Sequence, residues 1–261
     1  MVRSPLAPRW VWLLGGLSVV VLLLGYSWVS HGQQLENPND TTIPSLMMMV
    51  EGLQRAGIEE DWLWIDTKAT GYRLGMGLVI SIVGSVLAGI LMSSFSVLEA
   101  LLLPPLTLAS KIVPTAALAV FFALVGTGTE LYITMIVFGF SPSLTLSIYL
   151  AAKAIPIELI DKAYTLGASH MEVIWGVIFP AVIPQVIDAI RLAVGPAMVY
   201  LIAAELYLGD EGYGYRIRLL SRRLEMDVVY PYIMLLAGFG FGIDVLLTGV
   251  RKKLCPWYVE G

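Results

Sequence analysis

One cysteine, Cys255, is the whole thiol inventory, so the chain can form neither an internal disulfide nor a cysteine metal cluster. The two histidines, His31 and His170, stand far apart in sequence, and no metal site or cofactor is expected. Charge is scarce: 14% of residues are charged, against about a quarter in soluble domains. The net charge of −4 has the wrong sign for nucleic acid, which favours clustered basic residues. A Gly-x-x-x-x-Gly-Lys loop is missing, so the chain cannot hydrolyse nucleotide by that route. What is plentiful is apolar. The chain is 57% hydrophobic with a mean hydropathy of +0.80, a composition that belongs in lipid.

A helix needs about 20 apolar residues to cross a bilayer. Six segments qualify: Trp10–Val29, Gly71–Met92, Leu98–Val125, Leu131–Leu150, Ala181–Leu206 and Val229–Val250. The expected fold class is an all-α integral membrane protein with about six transmembrane helices. Arg3 and Arg9 precede the first segment as they would a secretory signal. Its apolar run is long for a signal, however, and "SWVSHGQQ" is a poor cleavage site, so it reads as a retained span. Gly75, Gly77, Ser81, Gly84, Ser85 and Gly89 on the second segment allow close helix contact. Pro104, Pro105 and Pro114 interrupt the third.

The chain divides into residues 1–66, with the first span and an acidic external segment, a core over 67–250 and a cytoplasmic tail over 251–261. Within the acidic segment, Pro44 suits the first position of a helix and Gly57 its stop. Leu46, Met49, Val50 and Leu53 fall on one face of that helix, as in an interfacial element. Trp62 and Trp64 suit the headgroup level. Asn39-Asp40-Thr41 matches a glycosylation acceptor, a triplet too common by chance to carry weight. Six spans put both termini and the loop 156–180 on one side. Lys and Arg are nearly balanced between the two sides, so orientation leans only on the terminal basic groups, Arg251-Lys252-Lys253 above all.

The loop between the fourth and fifth spans has its own grammar. Pro156 restrains its start, and Glu158 and Asp161 suit the beginning of a short helix. Gly167 can end that helix in a left-handed conformation. Ser169 and Glu172 form a Ser-x-x-Glu capping box for a second helix, and Pro180 marks the join to the next span. Helix, corner and second helix are expected just outside the membrane. On these features alone the loop could be a plain linker.

Its residues also resemble a family motif. Binding-protein-dependent ABC importer permeases carry Glu-Ala-Ala, three residues, Gly, nine residues, then Ile-x-Leu-Pro. Asp161-Lys162-Ala163, Gly167 and Val177-Ile178-Phe179-Pro180 keep that spacing, with Lys162 the least conservative departure. "TLGAS", "IPQVIDAIRLAVGPAMVYLIAAEL" and "GYGYRI" look like permeases of the nitrate, sulfonate, taurine and bicarbonate group, over roughly Thr67 to Val250.

The resemblance implies a type I ABC importer permease-like fold in a bacterial plasma (inner) membrane, surrounded by lipid. It implies a coupling helix, using Asp161, Lys162, Ala163, Gly167, Ala168, Ser169, Glu172 and Pro180, that docks on ABC ATPase subunits. The other implied partners are an external solute-binding protein and a second permease copy. ATP hydrolysis would belong to the separate subunit, and this chain would be no enzyme. The implied cargo is a small polar solute of nitrate, sulfonate/taurine or bicarbonate type. An importer of a cationic or neutral nitrogen compound stays open, as does an autonomous transporter or channel, although no internal repeat is visible.

Ionisable groups within apolar runs are functional hypotheses by default. Asp188 and Arg191, three apart on one helix, can neutralise each other. Glu205 and Asp244 read as helix-packing acids, and Lys111 as a candidate for the pathway. Gly238 to Gly242, "GFGFG", reads as close helix packing rather than a phosphate loop, and the methionines read as packing residues.

Overall fold

A computed structural model gives the structure of the chain and describes residues 8–36 and 41–256. Arg3, the acceptor residues Asn39 and Asp40, and positions 257–261 of the tail lie outside the described residues. The helices are α1 (Pro8–Glu36), α2 (Leu46–Gln54), α3 (Trp62–Ser94), α4 (Ser96–Ala109), α5 (Leu118–Val125) and α6 (Thr129–Lys153). They continue with α7 (Ile157–Thr165), α8 (His170–Val173), α9 (Phe179–Leu208), α10 (Tyr213–Arg222) and α11 (Met226–Leu254). Among the described residues there is no strand. Among those residues, five helical runs are long and apolar enough to cross a membrane: Leu13–Leu35, Trp62–Ser94, Thr129–Lys153, His170–Leu208 and Met226–Leu254.

The third expected span is two helices instead of one. Pro104 and Pro105 sit inside α4, and the break falls later, at Ser110–Ala117. Pro114 accounts for it: its ring would clash with the Ser110 carbonyl, and it pushes Val113 out of helical conformation. The chain turns there on tight three-residue bonds, Lys111 N–H to the Leu108 carbonyl and Ala117 N–H to that of Pro114, both 3.1 Å.

The chain forms two compact units, Met1–Leu63 with Ile217–Met234, and Trp64–Arg216 with Leu235–Gly261. In the first, the Tyr26 hydroxyl of α1 donates to the Pro44 carbonyl at 2.7 Å, and Arg55 pairs with Asp227 at 2.7 Å. Helix α2 begins one residue beyond Pro44's neighbour Ser45, whose side chain accepts the Met48 N–H. Gly57 does not stop the helix. A π-turn, Arg55–Glu59, carries the chain past it. The expected apolar face is also rotated: Met49, Gly52 and Ala56 are buried, whereas Leu46 and Val50 are exposed. Gly52 sets that face, since a Cβ there would lie 2.5 Å from the Asp227 carbonyl.

The second unit is built on α6. Leu131, Met135, Ile136, Phe140, Leu144 and Ile148 are buried at helical spacing and join Val182, Ile190, Val194 and Leu201 of α9 in one core. Lipid gives little hydrophobic incentive to such packing, so close approach matters more. Gly77 and Gly89 of α3 supply it, where a Cβ would stand 2.8 Å from Ile136 and Ile148. The small residues of α11 behave differently from expectation. Gly238 and Gly242 meet nothing within 4 Å, and only the intervening Gly240 touches a neighbour, Met198.

Candidate functional site

Three constellations gather the site residues, and all lie in the second unit. The first is the corner. Helix α7 starts after Pro156 with Glu158 in its first turn, while Asp161 and Lys162 lie further along it. Gly167 has φ +89°, the left-handed conformation expected of it. The Ala168 N–H reaches back to the Ala163 carbonyl at 3.0 Å, and the Gly167 N–H to that of Tyr164 at 2.9 Å. These two bonds make a Schellman closure, so Ala163, Gly167 and Ala168 act as one lock. Both halves of the capping box are present: the Ser169 N–H donates to Glu172 at 2.7 Å, and the Glu172 N–H to Ser169 Oγ at 3.4 Å.

The second helix of the corner is not separate from the fifth span. His170–Leu208 is one helical run of 39 residues, with a π-turn at Ile174–Ile178. Pro180 follows that turn, at the start of α9, rather than ending anything. It lacks the N–H that an α-turn would send to Gly176, and the wider turn absorbs the defect. The inner face of the corner (Ile160, Ala163, Ala168) rests on the core. Its outer face is open and mixed: Leu166 is 89% exposed, Ile157, Leu159, Met171 and Trp175 are exposed as well, and the charged Glu158, Asp161, Lys162 and Glu172 stand among them.

The second constellation lies at the far end of α9. Glu205 is fully buried and accepts from both the Thr70 hydroxyl, at 2.9 Å, and Arg73, at 2.9 Å. It also accepts from the Gly214 N–H at 3.0 Å. Beside it, Asp66 is fully buried and takes the Gly212 N–H and the Arg216 guanidinium, both at 2.8 Å. Arg73 further donates to the Glu211 carbonyl at 2.9 Å and covers the Tyr132 ring at 4.2 Å. Burial pushes the Tyr213 hydroxyl above its ordinary range, which keeps it a neutral partner for Thr67 at 2.9 Å.

Sequence reasoning named Glu205 and missed Asp66, Thr70, Arg73 and Arg216. The signal was present in "GYGYRI". Gly212 has φ +107°, and a Cβ there or at Gly214 would stand 2.6 Å from Glu205. The glycines are there to let backbone close over a buried carboxylate.

The third constellation revises the expected Asp188–Arg191 pair. Those two are 3.7 Å apart, but each has a closer partner. Arg191 binds Asp244 through two nitrogens at 2.8 and 3.2 Å. Asp188 accepts from Arg251 at 2.6 and 2.8 Å. The result is a ladder, Arg251–Asp188–Arg191–Asp244, linking α9 to α11. Arg251, expected in a solvated basic tail, is buried within it. Lys111 joins neither network; it lies exposed on the turn after α4.

A groove of about 460 Å³ runs along α6 and α9, lined by Ser143, Ser147, Gln185, Asp188 and Tyr200 among apolar neighbours. The second unit thus combines a cap-locked corner, a continuous helical run behind it and ion pairs set within apolar helices.

Residues 77–254 match the family described as binding-protein-dependent transport system inner membrane component, and the chain belongs to that family. It is a multi-pass permease subunit of an ABC importer, a transport component and not an enzyme. It is 25% identical to the taurine transport system permease protein TauC of Escherichia coli K12, over 97% of this chain and 94% of that protein. It is 28% identical to the putative aliphatic sulfonates transport permease protein SsuC of Bacillus subtilis 168, over 98% and 91%. The formylaminopyrimidine transport permease protein ThiX of Halalkalibacterium halodurans is 24% identical, over 90% and 93%. In fold, the chain is similar to an inward-facing MetNI methionine ABC transporter (TM-score 0.63, 16% identity, 72% of this chain and 94% of that one). The fold is thus type I ABC importer permease-like.

Proposed function

We propose that the α7–α8 corner is the handle by which separate ATPase subunits drive this permease. The supporting observation is a cap-locked knob whose inner face rests on the core and whose outer face exposes large apolar side chains, Leu166 above all, beside charged ones. Exposed apolar surface of this kind marks a protein contact. ATP binding would favour one conformation of the ATPase pair and shift the permease with it. The run His170–Leu208 carries the motion, because at 1.5 Å per residue a rod of this length spans about 58 Å.

The full assembly is two permease copies, two ATPase subunits and an external binding protein, in a bacterial inner membrane. The cargo is a small polar solute of the sulfonate class, as the near-full-length likeness to TauC and SsuC supports. The likeness to ThiX favours a nitrogen compound as the second reading.

The test is a cysteine at Leu166 in a chain whose Cys255 is replaced by Ser, paired with cysteines scanned over the copurified ATPase. A crosslink that forms in membranes and changes with ATP is expected. No crosslink at any scanned position, with both subunits present at normal levels, would reject the handle.

A further inference from the structure

The groove along α6 and α9 poses a question that coupling does not answer. Gly139, Ser143 and Ser147 recur every fourth residue on α6, and Gln185, Asp188, Leu192, Pro196 and Tyr200 follow one face of α9. Ser143, Ser147 and Gln185 are exposed although they sit within otherwise apolar runs. Ionisable side chains in such runs turn to protein or a water-filled path rather than to lipid, and Asp188 on the same face is one.

Their remaining hydrogen-bonding capacity has a direction. The Ser147 hydroxyl donates to its own helix, at the Ser143 carbonyl, 2.9 Å away. The Gln185 amide nitrogen, in the orientation that satisfies it, donates to the Ala181 and Val182 carbonyls at 2.9 and 3.1 Å. What both turn outward is oxygen, and the Ser143 and Tyr200 hydroxyls in the same lining can accept as well as donate. Asp188 adds a carboxylate, held by Arg251 at 2.6 Å, with Arg191 at 3.7 Å. No Lys or Arg is among the lining residues.

We infer that this groove is the solute-facing wall of the pathway and that it meets the hydrogen-bond-donating end, an ammonium or amine, of a small polar solute. Ser147, Gln185 and Asp188 are the contact residues. This rests on the permease reading and narrows it, since a bare inorganic anion has no such end, whereas an aminosulfonate does.

The experiment uses the assembled complex in vesicles, with Cys255 replaced by Ser and single cysteines at Ser143, Ser147 or Gln185. The probes are methanethiosulfonates ending in ammonium or in sulfonate, and a cysteine at the exposed α3 position Val83 serves as control. All three groove cysteines should react well ahead of the control. The ammonium reagent should lead the sulfonate reagent by about tenfold after correction for their rates on free cysteine, because roughly 1.4 kcal/mol of contact preference is a factor of ten. Groove cysteines no faster than Val83→Cys would overturn the pathway assignment, leaving the groove to lipid or to a second copy. A preference for the sulfonate reagent would overturn the donor-end assignment. Neither readout needs the ATPase, so failure here is distinct from failure of the Leu166 crosslink.

Discussion

Glu205 is the most demanding residue in the chain: a carboxylate with no solvent exposure, made tolerable by Arg73, Thr70 and the Gly214 N–H. Removing one member of a buried ion pair typically costs about 3–5 kcal/mol, because the other charge is stranded. Glu205→Leu should therefore lower the melting temperature of the detergent-purified protein sharply. Arg73→Met combined with Glu205→Leu should recover much of the loss; a double variant no better than the single would mean the pair is not the source. At Gly212 the strain is independent of charge. An alanine there combines φ +107° with a Cβ 2.6 Å from Glu205, so Gly212→Ala should also destabilise, by about 1 kcal/mol or more. Thermal unfolding of this variant equal to that of the parent would contradict the clamp. Cys255 needs no such care. Burial pushes its thiol up, opposed by Arg251, so it should label slowly and give a low background even before it is replaced.

At the scale of elements, apolar runs and local caps were legible in the sequence, because length, Ser-x-x-Glu spacing and glycine position act within a few residues. The corner at Gly167 and the box at Ser169 and Glu172 stand where the motif put them. Partner choice was not legible. Arg191 takes Asp244 and Asp188 takes Arg251, residues more than fifty positions away, and spacing along one helix could not rank them above each other. The fate of prolines was equally non-local: Pro104 and Pro105 ride inside α4, while Pro114 breaks the run and packs where Gly139 leaves room. The rotated face of α2 has the same origin, since Asp227 and not periodicity decides which side is covered. Orientation follows from the corner's proposed role. Single cysteines at His31 and Ser221, with Cys255 removed, should label from outside, and one at Ser169 only from inside. Labelling of Ser169 from outside would reverse the topology.

For the whole molecule, one helical run of 39 residues ties the corner to the buried Glu205 network at its other end. Under the proposed coupling, a push on the corner is delivered to the place where α3, α9 and α10 are locked together. Gly167 is where that linkage can be cut without disturbing a contact, because a Cβ there meets nothing within 4 Å and only the φ of +89° objects. A side chain in that conformation costs about 1 kcal/mol or more, enough to redirect a short helix. Glu172→Ala should be milder, since losing one arm of a capping box costs a fraction of about 1–2 kcal/mol.

The most direct measurement is ATPase stimulation by the loaded binding protein in reconstituted vesicles carrying Gly167→Val at normal membrane levels. Stimulation should vanish while basal hydrolysis persists, and Glu172→Ala should keep most of it. Full stimulation of Gly167→Val would mean that the corner is only a linker and that the drive enters elsewhere.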